Sequence, residues 1–285
     1  MYAARQEAME GKHSIHCKIS EALRRAIDRR CADTGQTLQQ VVCEALEQYL
    51  LLEGHTLFQT STVGALIEGV DEGTTTIEQL KAHGDFGIGT FDHLDGEMIE
   101  LEGKVFQIRS DGHAYPASNP QKTPFATVAF WQPDVTVGLC EPLDYPGLQA
   151  FLDRLIPERN LFQAIKIEGR FSRLKTRSVA RQPEHTRLAE AAASQAEFEF
   201  RDIEGTLAGF WTPPFAAGIN VPGYHLHFIS AARKLGGHLL ECTIDQVTVQ
   251  VHHTPELHLA VPRSPEFQRA DLAADTGAEL DRAEK

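Results

Sequence analysis

The sequence predicts a strand-rich α+β protein with a small strand–helix–helix module at its N-terminus. Short segments of alternating polar and apolar residues dominate the larger part of the chain, punctuated by Gly87, Gly89, Gly96, Gly103 and Gly112. Helical periodicity is confined to a few segments, so a regular βαβ repeat is not expected. Hydrophobic residues make up 42% of the 285 positions and charged residues 24%, which is enough apolar material for a packed core. No apolar run approaches the roughly 18 residues of a membrane span. The first 30 residues lack the apolar stretch of a secretory signal. Five cysteines, Cys17, Cys31, Cys43, Cys140 and Cys242, form no CxxC pair. An odd, scattered set argues against a disulfide framework or a cysteine zinc cluster and fits a reducing cytoplasm. The net charge of -13 argues against a general nucleic-acid binder or a coat for anionic membranes.

The charge is unevenly spread. Residues 1–53 carry 7 basic and 8 acidic side chains, so the acidity belongs almost wholly to the remainder. Within this first part, Ser14 to Ser20 alternates with a period of two, placing Ser14, His16 and Lys18 on one face of a strand and Ile15, Cys17 and Ile19 on the other. Ser20 and Glu21 open a helix over 22–31, with Leu23, Ala26 and Ile27 on one face. Gly35 breaks it. Thr37 caps a second helix carrying Leu38, Val41, Val42, Ala45, Leu46 and Tyr49 at helical spacing. Strand, helix, turn and helix in about 40 residues resemble a ribbon-helix-helix module. That resemblance implies a homodimer through paired strands, with DNA contact by the outward strand residues as the competing expectation. The low basic content favours dimerisation alone.

After the connector 53–55, helices are expected over 61–70 and 76–83, the second capped by Thr76 and ended by Gly84. Strands follow at 98–101 and 104–108, joined at Glu102-Gly103, and at 125–131, with a helix over 147–156. The second half reads as strands over 162–171, 197–210, 225–229 and 237–251, then a polar, helix-prone tail beyond Pro265. The boundaries drawn are 1–53, 54–160 and 161–285.

His225-Leu226-His227 is the sharpest chemical signal. On a strand these imidazoles point to one face, and the glycine turn Gly236-Gly237 returns the chain to set His238 beside them. Three imidazoles with an open position describe a catalytic zinc site rather than a closed structural one. Thirteen histidines also produce such spacings by chance, and His252-His253 reads as that kind of coincidence. A cupin-type HxH site normally adds a nearby glutamate, and 229–233 supplies none.

Longer motifs run in one order: Lys81-Ala82-His83-Gly84-Asp85-Phe86-Gly87-Ile88-Gly89-Thr90-Phe91; Leu94-Asp95-Gly96-Glu97-Met98; Phe106 to Gly112; Lys122 to Ala126; Lys175-Thr176-Arg177-Ser178-Val179; Pro222 to Phe228; and Gly236-Gly237-His238. Over about residues 55–285 the chain resembles the alpha-acetolactate decarboxylase family. The resemblance implies a mixed-sheet domain followed by a barrel-like β domain, a dimer, and zinc-dependent conversion of 2-acetolactate to acetoin and carbon dioxide. It places the metal ligands on His225, His227 and His238, and further site residues on Glu97, Arg177 and Thr90. A C-terminal glutamate falls on Glu284, with Glu279 as the alternative.

The chemistry suits these residue types. Loss of carbon dioxide leaves an electron pair that a Lewis acid can draw off. Arg177 stays charged and can bind a carboxylate. Glu97 is a ligand or proton shuttle, and Thr90 a hydrogen-bonding group. Each residue also has a plainer reading. Glu97 can be a solvated hairpin residue, Arg177 one surface cation beside Arg173, Lys175 and Arg181, Thr90 a turn pin and Glu284 a frayed end. His83 and Asp85 read as structural. The alternative function is a metabolite-sensing DNA-binding regulator that uses the N-terminal module.

Overall fold

Two units make up the chain, Met1–Leu52 and Glu53–Lys285. The computed structural model describes residues 16–50, 55–273 and 277–284. In the first unit, α1 (Glu21–Thr34) starts where the Ser20 hydroxyl accepts the Leu23 N–H at 3.2 Å. It ends where Gly35, at φ 73°, returns its N–H to the Cys31 carbonyl. α2 (Leu38–Leu50) begins with a reciprocal cap: Gln40 N–H donates to the Thr37 hydroxyl, and Thr37 N–H donates to the Gln40 side chain. Residues 16–20, including His16 and Lys18, form no strand, and Ser14 lies outside the described residues. A ribbon strand needs a second chain to complete its ladder, so a single chain leaves these backbone groups unladdered. Ile19, Leu23, Leu38 and Leu46 are all more than a third exposed.

The second unit runs β1 (Thr56–Thr60), α3 (Val63–Ile67), β2 (Thr75–Thr76), α4 (Ile77–Lys81), β3 (Phe86–Thr90), β4 (Glu97–Leu101), β5 (Lys104–Ile108), β6 (Ala114–Pro116), β7 (Lys122–Thr123) and β8 (Ala126–Ala129). It continues through β9 (Val135–Leu139), β10 (Leu143–Asp144), α5 (Tyr145–Leu155), β11 (Phe162–Ser178), α6 (Leu188–Ala192), β12 (Ala196–Thr212), β13 (Gly223–Ser230), β14 (Gly236–Thr254), β15 (Glu256–Ala260), α7 (Pro265–Arg269) and α8 (Gly277–Glu284). The result is the strand-rich α+β fold that composition and punctuation predicted.

Seven strands form a mixed sheet in the order β15-β1-β8-β3-β4-β5-β6. Only β15 is parallel to its neighbour: Glu256–Ala260 lies alongside Thr56–Thr60 although about 200 residues separate them. The β4–β5 hairpin turns at Glu102 and Gly103, both at positive φ (54° and 68°), the pairing that matches the right-handed twist of two-residue hairpins. The second sheet is antiparallel, β10-β14-β11-β12-β13, with β9 also paired to β14. Its path returns on itself, because His227–Ile229 of β13 pair with Gly236–His238 of β14.

Strands β11 and β12 each run 17 residues; β11 continues seven residues past its expected end at 171, whereas β12 ends within two residues of the expected 210. The outer stretch of β11 carries Arg173 and Lys175, which by sequence read as surface cations. In the sheet these cations pair with Glu199 and Glu197 on β12, at 3.2 and 2.8 Å. The two sheets meet through one apolar cluster. Leu57, Ile88, Ile99 and Ile108 of the first pack with Ala164, Ala208, Phe210 and Ile229 of the second. Leu148 and Leu152 of α5 fill the other side of the second sheet. Among the described residues, no helix is long and apolar enough to cross a membrane.

Candidate active site

The histidines are brought together by strand register. Arg177 on β11 faces His238 on β14, and His238 faces His227 on β13. Directly opposed residues project from the same side of a sheet, and His225, two residues before His227, shares that side. The three rings lie with centroids 5.0–5.4 Å apart, and their ligand atoms fall within 4.8 Å of one another. All three are at least nine-tenths buried.

Glycine makes the approach possible. A Cβ on Gly209, in the strand beside His225, would lie 2.0 Å from the His225 carbonyl oxygen. Gly237, at φ 141°, would place a Cβ 2.6 Å from the Arg177 carbonyl oxygen. The cluster therefore depends on two positions without side chains.

Protonation states follow from the surroundings. Burial, with the Arg177 guanidinium adding repulsion, pushes the His225 imidazole down to about 3, so it is neutral at pH 7. The Nδ1 of His227 lies 2.7 Å from the Met98 carbonyl oxygen, a group that can only accept. The proton is therefore on Nδ1, which leaves the Nε2 lone pair facing the cluster. Neutral, oriented imidazoles of this kind fit a borderline divalent metal ion.

The first sheet supplies the rest. Thr90 and Glu97 are opposed residues on β3 and β4. Glu97 bridges the sheets, with one carboxylate oxygen 3.3 Å from Arg177 Nη1 and the other 3.4 Å from His227 Nε2. The Thr90 hydroxyl donates to the Gly96 carbonyl at 2.8 Å, so it pins the turn before Glu97 while facing the same recess. Arg177 has a side chain 4% exposed, against 45% for Arg173 and 29% for Lys175. That contrast separates it from the surface cations among which it sits in sequence. Its Nη2 donates to the Ala283 carbonyl at 2.8 Å.

This last bond places α8 at the site. Leu280 and Ala283 are buried in a cluster with Leu66, Leu94, Val179 and Leu188. Several of these residues also wall a small recess whose polar members are Thr90, Glu97, Arg177, His225 and His227. The side chain of Glu284 lies outside the described residues. The carboxylate of Glu279 is held by Arg187, at 2.9 and 3.1 Å, and Arg187 also binds Glu68. The contributions of Met98 and Ala283 went unread in the sequence because both act through backbone carbonyls, to which any residue type is equivalent. His83 stacks on Phe58 with ring centroids 3.8 Å apart, and Asp85 accepts the Trp131 N–H at 2.7 Å.

A recess between two sheets that shields imidazoles, a carboxylate and a guanidinium from water, and leaves room for a small molecule, defines an enzyme. The sequence profile of the alpha-acetolactate decarboxylase family matches residues 57–274. An alpha-acetolactate decarboxylase of Methylococcus capsulatus is 45% identical over 233 residues, which is 81% of this chain and 90% of that protein. One of Methanosarcina mazei is 45% identical over 230 residues, 80% of each chain. The crystal structure of the alpha-acetolactate decarboxylase of Bacillus subtilis strain 168 superposes with a TM-score of 0.78 at 36% identity, covering 80% of this chain and 99% of that one. This chain belongs to the alpha-acetolactate decarboxylase family. The matched region begins beyond α2. The regulator reading finds no support in these relatives.

Proposed function

We propose that this enzyme decarboxylates 2-acetolactate to acetoin, with His225, His227 and His238 holding one divalent metal ion, zinc by the chemistry of the ligands. The observation that carries the reading is the Glu97–Arg177 pair beside the three histidines, which puts an anion-binding cation and a proton-handling carboxylate in one dry recess. When bound, the ion supplies a Lewis acid that draws off the electron pair left as carbon dioxide departs.

The chain's own groups account for the remainder. Arg177 is the cation in the recess wall and offers its guanidinium to the substrate carboxylate. Its bonds to Glu97 and to the Ala283 carbonyl hold that guanidinium in one orientation. Glu97 relays, from water, the proton that the former carboxyl-bearing carbon must gain. Delivery from one side gives a single acetoin enantiomer. Thr90 keeps the Glu97 turn in place and offers its oxygen lone pairs to substrate or water. Glu284 contributes from the end of α8. The apolar wall excludes water, so these charges act at full strength over short range. Local attraction is needed because the net charge of -13 gives an anion no long-range steering toward the site, and charges attract effectively only within a Debye length of roughly 8 Å.

Metal analysis coupled to an acetoin assay tests this. Loss of one metal equivalent relative to wild type, together with loss of activity, is expected in His225→Ala, and undiminished acetoin formation after thorough metal removal would refute the reading. The first unit is read as a dimerising arm, with Ile19, Leu23, Leu38 and Leu46 as its contact residues. A chain beginning near Gly54 is therefore expected to retain acetoin formation.

A further inference from the structure

A second cluster of metal-ligand atoms lies away from the recess, and none of the proposed decarboxylation uses it. His55 precedes β1, Asp134 precedes β9 and His252 lies near the end of β14, fourteen residues beyond His238. One ligand atom from each falls within 4.8 Å of the others. The His55 and His252 rings have centroids 5.2 Å apart. His252 has no exposed surface, whereas His55 and Asp134 border solvent, so the cluster has a buried floor and an open mouth.

The arrangement is held by the backbone of a single residue. The His253 carbonyl lies 2.8 Å from His55 Nδ1, and since a carbonyl only accepts, the proton is on Nδ1 and the lone pair is on Nε2. The His253 N–H donates to Asp134 Oδ2 at 2.8 Å, which leaves Oδ1 for another partner. His253 is itself anchored, because its ring pairs with Gln163 and its strand position lies opposite Gln163. Hydrogen bonds to the far atoms of two potential ligands are the outer support typical of metal sites, fixing tautomer and aim together. Asp134 is held a second time, through its N–H to the Val251 carbonyl at 2.9 Å.

We infer that His55, Asp134 and His252 form a second divalent transition-metal site, distinct from the three-histidine site. Two imidazoles and one carboxylate suit zinc, cobalt or nickel, with water completing the coordination. The ion would join three segments far apart in sequence. It would clip residue 55, where the chain enters the second unit, to the end of the longest strand. This inference does not rest on the decarboxylase reading.

The test is a zinc titration of the metal-depleted full-length protein with elemental analysis after gel filtration, repeated with cobalt to follow visible absorption. Wild type is expected to retain two equivalents per chain, one for each cluster. His55→Ala and Asp134→Asn are each expected to retain one equivalent with undiminished acetoin formation, and His225→Ala to retain one equivalent without it. The two substituted side chains border solvent, so folding should survive, and retained activity would verify it. Saturation of wild type at one equivalent, with that equivalent lost in His225→Ala, would overturn the second site. So would two equivalents retained in both His55→Ala and Asp134→Asn. Zero metal in His225→Ala with one equivalent in wild type would leave the decarboxylase reading standing while removing this one, so the two fail separately.

Discussion

Glu100 is expected to make this enzyme less stable as the pH rises, and Glu100→Gln should abolish the effect. The residue sits on β4 with no exposed surface, and neither carboxylate oxygen has a hydrogen-bond partner. Burial pushes its carboxyl from an ordinary value of 4.5 to about 8, with Asp85 adding to the rise and Lys81 opposing it. Between those values the folded protein keeps a proton that the unfolded chain has released. The stabilisation is therefore complete below the unfolded pKa and is lost as pH rises toward the folded one. At about 1.4 kcal/mol per unit, the full loss is about 5 kcal/mol, of which about 3 kcal/mol has gone by pH 7. Glutamine keeps the shape and cannot ionise. Urea unfolding of the metal-loaded wild type and variant at pH 5, 6, 7 and 8 reads the difference, and titration of the metal-site histidines cancels because both proteins share it. The variant should gain about 1.4 kcal/mol on wild type for each pH unit. A difference that stays constant across the series would refute a buried, proton-holding Glu100.

Three further outcomes are expected. Arg177→Lys keeps the charge but loses the fork that grips Glu97 and the Ala283 carbonyl, so turnover should fall about 100-fold with metal content unchanged; an unaltered rate in the acetoin assay would remove Arg177 from its role. Gly209→Ala drives a Cβ into the His225 carbonyl, so a stability loss of roughly 3 kcal/mol and reduced metal retention should appear together in calorimetry and elemental analysis. Leu280→Ala removes the main apolar anchor of α8, a contact of roughly 2–4 kcal/mol. Because α8 carries the carbonyl that orients Arg177, activity should fall well below the temperature of global unfolding, as a comparison of activity and circular-dichroism melts will show.

The parts of the fold legible in the sequence are those set by near neighbours. Thr76 reads as a helix cap, and in the structure its hydroxyl accepts the Gln79 N–H while Gln79 reaches back, a capping box within four residues. Gly35 and the Glu102-Gly103 hairpin are legible for the same reason, since only certain residues tolerate positive φ. The tail beyond Pro265 does contain helices, but its strand neighbour β15 passed unread. Its sequence, ELHLA, is short and half-exposed, and it becomes a strand by pairing with β1 about 200 residues away. The outer half of β11 lies beyond the strand expected over 162–171 because its cations Arg173 and Lys175 read only as surface residues, and their partners Glu199 and Glu197 come from another strand.

The sequence by itself determined which groups can do the chemistry. HxH, a short return and a third histidine put three imidazoles on one face, since strand alternation and the return of a short loop are local geometry; the chain reverses over 231–235, and Gly236 and Gly237 lie in the ladder opposite Ile229 and Phe228 instead of forming the turn. Tertiary structure alone decided what those groups become. Arg177 differs from Arg173 and Lys175 only because Glu97, 80 residues away, and Ala283, 106 residues away, close over it. Glu100 holds its proton only because the first sheet is covered at that point, and His252 joins His55 and Asp134 only because three distant segments meet. Local backbone preference is carried by adjacent residues, whereas burial, and the protonation and ion binding that follow from it, depend on what the folded chain brings alongside.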